Sequence, residues 1–195
     1  GAAMLACLLG SGGTGKSVLT AVLMSRLSER VVAWHFCRHD DKEKSTPPAL
    51  LRSMAAMLCH RLPGYEAALG EVPVSLLASS DPKELFEALF EAPLSRMAAP
   101  LQAFLIIIDA LDEIPKEGQK ALLELITKHF IKLPSWLRLF VTSREESQIQ
   151  QALSKFKPME LRADESRTRA DVEIKLRNVA RDYVRYGAPI ARVGH

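Results

Sequence analysis

Residues 10 to 17, Gly-Ser-Gly-Gly-Thr-Gly-Lys-Ser, constrain this chain more than any other stretch. The pattern is glycine, four residues, glycine, lysine, serine. It stands between a short apolar run, Met4 to Leu9, and a segment with helical spacing, Ser17 to Ser28. Glycines at such a turn let backbone N–H groups converge on phosphate oxygens, and the helix that follows adds the positive end of its dipole. Gly10, Ser11, Gly12, Gly13, Thr14 and Gly15 would form the cradle. Lys16 would reach the β and γ phosphates of a nucleotide, and Ser17 would place its hydroxyl on a magnesium ion bridging them. A mere flexible turn would not need eight matching residues in this strand and helix context.

Apolar runs and helix-period segments alternate beyond the turn. Val31 to Cys37 is β-branched and aromatic, hence strand, and completes one βαβ unit. Thr46-Pro47 caps a helix carrying Leu50, Leu51, Met54, Met57 and Leu58 on one face, stopped before Pro63. Asp81-Pro82-Lys83-Glu84 opens another in the manner of a capping box, with Phe86, Leu89 and Phe90 following. Phe104 to Ile108 is apolar at every position, as for a strand covered on both faces, and is expected at the sheet centre. Gln119 to Leu133 reads as helix, Leu137 to Thr142 as strand, Ser147 to Ser154 as a short helix, Met159 to Leu161 as an edge strand and Arg169 to Tyr186 as a last helix. The fold class is α/β: an open parallel β-sheet of about five strands flanked by helices on both faces.

The strand Ile106-Ile107-Ile108 ends in Asp109, which delivers a carboxylate to the magnesium shell at the carboxyl edge of such a sheet. Asp112 and Glu113 follow within four residues. Either could orient or deprotonate a water attacking the γ phosphate, against the plainer reading that they cap the next helix near Pro115. Which is the base stays open. Arg144 ends the run Leu139-Phe140-Val141-Thr142-Ser143, where it could report the γ phosphate or simply pair with Glu145 or Glu146. His35, Cys37 and His39 alternate and raise a metal site, but no fourth ligand stands at a recognisable spacing, so they read as ordinary strand-end residues.

Composition narrows the class further. The 195 residues are 48% hydrophobic and 25% charged, which excludes a disordered chain and suits a single domain. No apolar run approaches the roughly 18 residues of a membrane span. Cys7, Cys37 and Cys59 are odd in number and lie in apolar segments, which reads as reduced, buried thiols of a cytoplasmic protein. The net charge is +3; from Lys155 onward ten basic residues interleave with six acidic ones, so no basic stripe points to nucleic acid. Gly1 to Ala3 read as an appended scar, residues 4–165 as the nucleotide-binding domain, and residues 166–195 as a helix leading towards a lid subdomain not included.

Together the loop Gly10 to Ser17, the strand end Ile108-Asp109-Ala110-Leu111-Asp112-Glu113 and Val141-Thr142-Ser143-Arg144 resemble the NACHT group of STAND signalling NTPases, over roughly Met4 to Tyr186. The most specific element is the small residue Ala110 after Asp109, with an acidic pair two positions further on. Ala33-Trp34-His35-Phe36-Cys37 and the stretch from Pro134 to Arg144 also look like this group. The resemblance implies a switch: ATP or dATP favours an open, self-associating state and ADP a closed one, with effector and sensor or repeat domains in cis. It implies that Lys16 and Ser17 bind phosphate and magnesium, that Asp109 holds magnesium, that Asp112 and Glu113 support slow hydrolysis, and that Arg144 is the sensor arginine. It also implies that the Arg144 strand separates the Asp109 strand from the Gly10 strand. The competing expectation is a turnover enzyme, an AAA+-like motor or a P-loop kinase, although no second substrate-binding signature is visible.

Overall fold

All five strands of the sheet run in the same direction, so their carboxyl ends share one edge. The computed structural model describes residues 5–40, 45–70 and 72–161. In chain order the strands are β1 (Leu5–Gly10), β2 (Val31–Phe36), β3 (Phe104–Asp109), β4 (Leu137–Ser143) and β5 (Met159–Leu161). Their spatial order is β2-β3-β4-β1-β5. β4, carrying Arg144 just past its end, therefore lies between β1 and β3, the order that the resemblance implies. β3 is not the sheet centre: that place belongs to β4, which is buried at all seven positions, with β3 beside it. Both strands are covered on both faces, so an all-apolar run marks an inner strand without saying which.

The helices are α1 (Lys16–Arg26), α2 (Pro47–Arg61), α3 (Tyr65–Leu69), α4 (Val74–Leu77), α5 (Pro82–Phe86), α6 (Ala92–Arg96), α7 (Lys116–Glu124) and α8 (Ser147–Leu153). A π-helical turn, Glu87–Glu91, joins α5 to α6, and another, Leu125–His129, extends α7. Side chains of a strand alternate between faces, and two cores follow. Cys7, Leu9, Ile106, Ile108, Leu139 and Val141 join the larger core under α2, α5, α6, α7 and α8. Leu8, Leu105, Ile107 and Phe140 meet Leu19 and Leu23 of α1 on the opposite face.

Local chemistry sets several boundaries. Thr46 caps α2 by accepting the Ala49 N–H at 3.3 Å, with proline at the first helical position. Asp81 caps α5 by accepting the Lys83 N–H at 2.8 Å. The box does not close through Glu84, because the Ser79 hydroxyl accepts the Asp81 N–H and itself donates to Glu84. In α1 the buried face is Leu19, Thr20 and Leu23, whereas Val18, read as part of the apolar spacing, is 66% exposed. β2 stops at Phe36, so His39 lies beyond the strand, 3.5 Å from Glu113. Cys7 and Cys37 are buried but Cys59 only half so, a correction to the uniform reading of the thiols. The edge strand Met159–Leu161 pairs with β1, and the helix expected at Arg169 to Tyr186 lies outside the described residues.

Candidate functional site

The loop that follows β1 turns through two glycines with positive φ, Gly13 at 77° and Gly15 at 83°. Gly15 is the N-cap of α1 and carries no side chain to occupy the first-turn N–H groups, which suits that helix end to an anion. Lys16 Nζ donates to the carbonyls of Gly10 at 2.6 Å and Ser11 at 2.8 Å, which folds the side chain back along the loop. Burial lowers the ammonium below the ordinary lysine value; Asp112 opposes that shift and Arg144 reinforces it. Loop and lysine border a cleft of about 320 Å³ whose far side is formed by Ala110, Asp112, Glu113, Thr142 and Arg144. Of the residues singled out in the sequence, Gly12 to Ser17, Asp112, Glu113 and Arg144 line this cleft, while Gly10 and Ser11 meet it through Lys16.

Asp109 lies just behind that surface, 3% exposed. A carboxylate so buried requires donors, and three hydroxyls supply them. Ser17 donates to Oδ2 at 3.0 Å, while Thr20 and Thr142 donate to Oδ1 at 2.7 and 2.6 Å. Thr142 in turn accepts the Ala110 N–H at 3.0 Å. Ser17, its proton directed at Asp109, keeps its oxygen lone pairs for the cleft it lines. The donor set is oxygen throughout, one carboxylate and one accessible hydroxyl, and fits a small hard dication such as magnesium, which keeps much of its water. Ser17 is the residue placed to touch such an ion, with Asp109 one step behind.

Ala110 adopts the left-handed conformation, φ 57° and ψ 50°. That backbone is strained for any residue with a Cβ and most for bulky or β-branched ones, so a small residue limits the cost. The turn feeds a short 3-10 segment, Leu111–Glu113, that brings both acids back to the cleft. They are not equivalent. The Asp112 side chain is 6% exposed; its Oδ1 accepts the Arg144 N–H at 2.8 Å and the Ser143 hydroxyl at 3.3 Å, and its Oδ2 lies 3.2 Å from Arg144 Nε. Glu113 is 29% exposed and pairs only loosely with His39. Arg144 thus pairs with Asp112 rather than with Glu145 or Glu146, because β3 and β4 are neighbours in register, Ile108 opposite Val141. Its guanidinium also passes over Gly12, about 4.0 Å from where a Cβ would stand.

Thr20 is the member of this cluster that sequence reasoning missed. The available signal was its spacing: three residues after Ser17 on one helix, it shares that residue's face.

A five-stranded parallel sheet in this order, with a glycine-rich loop leading from β1 into α1, is the fold of P-loop ATPase domains. The chain belongs to the nephrocystin 3 N-terminal family, whose model matches residues 2–144. Two solved structures share the architecture at low identity. The Orc1 protein of Aeropyrum pernix, solved in complex with DNA, is 21% identical with a TM-score of 0.51, covering 92% of this chain and 44% of its own. Cdc6p of Pyrobaculum aerophilum is 14% identical with a TM-score of 0.50, covering 80% and 38%. The chain spans less than half the length of either. Among the described residues no helix is long and apolar enough to cross a membrane.

Proposed function

We propose that this domain binds ATP and ADP with magnesium and works as a NACHT/STAND-type switch whose slow hydrolysis resets the conformation and self-association of a larger protein. The observation that carries the reading is the single cleft on which Lys16, Ser17, Glu113, Asp112 and Arg144 converge at the carboxyl edge of the sheet. Loop N–H groups and Lys16 hold the phosphates; Lys16 leaves the Gly10 and Ser11 carbonyls to do so. Ser17, with Asp109 behind it, would hold magnesium, which would supply positive charge to offset that of the phosphates. Glu113 takes the part of the base that orients or deprotonates the attacking water. Asp112 is less suited, since both its oxygens already accept hydrogen bonds or an ion pair from β4 and Arg144. Arg144, held by Asp112 above Gly12, reads the γ phosphate. Ala110 followed by an acid pair favours the STAND type over a turnover motor or kinase, and effector and sensor domains in cis would receive the signal.

Lys16→Ala tests the reading. Loss of a charge-assisted hydrogen bond of about 1.5–3 kcal/mol weakens magnesium-dependent ATP binding by roughly tenfold to a hundredfold, measured by calorimetry. Equal affinity in the wild type and the variant would remove the phosphate-loop role. Turnover by the wild type at the ~1 to 100 per second typical of kinases would replace the switch with an enzyme.

A further inference from the structure

Thr20 does not border the cleft, is fully buried, and yet ends on the carboxylate placed behind the metal side of the site. Its hydroxyl has two acceptors within reach, the Lys16 carbonyl at 3.2 Å and Asp109 Oδ1 at 2.7 Å. One proton serves one of them, and the shorter, charge-assisted bond goes to Asp109. Thr142 donates to the same oxygen, its own orientation fixed by the Ala110 N–H that it accepts. Two donors on Oδ1, one from α1 and one from β4, thus hold the carboxyl group about its last torsion and leave Oδ2 turned to Ser17. That orientation matters to a cation because a carboxylate free to rotate would release the Ser17 proton and let the hydroxyl turn away from the cleft.

We infer that Thr20 is a positioning residue for magnesium, acting through Asp109 on Ser17; the inference rests on the magnesium-dependent nucleotide binding proposed above. A residue of this kind separates two affinities. Binding of ATP without metal depends on the loop N–H groups and the Lys16 ammonium; the Thr20 side chain meets Lys16 only at its carbonyl, which no phosphate would contact. Strengthening of that binding by magnesium depends on the Ser17 and Asp109 pair. A Thr20 that merely stabilises the helix would lower both together.

The experiment titrates magnesium at fixed ATP and follows ATP binding by calorimetry, with EDTA as the metal-free arm, for the wild type, Thr20→Val and Thr20→Ser. Valine keeps the shape and removes the hydroxyl; serine keeps the hydroxyl. Loss of an outer partner of a metal ligand costs roughly 10- to 100-fold in metal affinity. Thr20 acts one residue further out, through Asp109, with Thr142 still on the same oxygen, so about tenfold, the lower end, is expected. Thr20→Val should therefore need that much more magnesium for half-maximal strengthening, its affinity in EDTA unchanged, while Thr20→Ser follows the wild type. Thr142→Val removes the other donor and should shift the titration in the same sense, which supplies the test if Thr20→Val fails to fold. A wild-type magnesium titration in Thr20→Val, an equal loss in both arms, or failure of serine to restore the midpoint overturns the inference and leaves the switch reading standing. A wild type whose ATP binding does not respond to magnesium overturns that reading and the inference with it.

Discussion

Removing Asp112 should cost far more stability than removing the arginine that it pairs with. In Asp112→Ala the Arg144 N–H loses a charged acceptor at 2.8 Å and the Ser143 hydroxyl a weaker one at 3.3 Å. A hydrogen bond to a charged group is worth about 1.5–3 kcal/mol, so the variant should lose about 2–3 kcal/mol. Arg144→Ala keeps the backbone bond and loses only an ion pair whose arginine is 59% exposed. Such pairs contribute about 0.2–1 kcal/mol, and salt screens them further. Urea unfolding of the two single variants and the double variant measures both costs and their coupling, expected below about 1 kcal/mol. For a domain of this length each kcal/mol moves Tm by about 2–4 °C, so thermal melts should separate the variants too. On the function proposed above, ATP binding should run the other way, with Arg144→Ala losing nucleotide discrimination at nearly wild-type stability. An Arg144→Ala variant as unstable as Asp112→Ala would refute the reasoning, because the side-chain pair and not the backbone bond would then anchor the acid.

Gly118 on α7 approaches the Pro47 ring so closely that a Cβ would lie 2.8 Å from Pro47 Cδ. Gly118→Ala should lower stability by about 1 kcal/mol, because overpacking against a rigid ring, at about 1–3 kcal/mol, outweighs the helix propensity gain of about 1 kcal/mol; a raised Tm would contradict this. Burial raises the Cys7 thiol from 9.0 to about 12 and raises Cys37 as well. A folded-state value above the unfolded one means that this stabilisation is complete below about pH 9 and is lost as pH rises towards 12. Unfolding free energy should then fall by up to about 1.4 kcal/mol per pH unit for each such thiol, and Cys7→Ala should flatten the slope. In the native protein a thiol reagent should modify Cys59 first, and labelling of Cys7 at the same rate would show that β1 opens readily.

The parts of this molecule that could be read from sequence are those written in contiguous residues. The glycine-rich loop between β1 and α1, the apolar run into Asp109 and the Thr46-Pro47 cap each carry their signal within eight residues, and each takes the expected backbone form. What the sequence could not display depends on register between distant strands. Arg144 has two acidic neighbours in sequence, but parallel pairing of β3 and β4 brings it to Asp112 instead. The same pairing makes β4 the central strand, although β3 is the more uniformly apolar run. Short helices such as Tyr65–Leu69 and Val74–Leu77 span too few turns to show a period, and glycines bound only the first. The π-helical turns leave no pattern of their own; they lie beside the packed rings of Phe86, Phe90 and Phe130, with Phe86 and Phe130 centroids 4.7 Å apart. Thr20 was hidden for a different reason: a threonine inside a helix ordinarily bonds its own backbone, and only the sheet edge reveals its charged acceptor.

The three hydroxyls around Asp109 come from positions 92, 89 and 33 residues away along the chain. No peptide cut from this domain can hold that carboxylate in place, and no early, local folding event can assemble it. The site exists only after β1, α1, β3 and β4 have docked, so occupancy becomes a report on the three inner strands of the sheet and the helix against them. Linkage makes the relation mutual: a ligand at a hundred times its Kd would add about 2.7 kcal/mol to the unfolding free energy. Protection of amides in all four elements should then rise together on binding, including those in β3 that never approach the ligand.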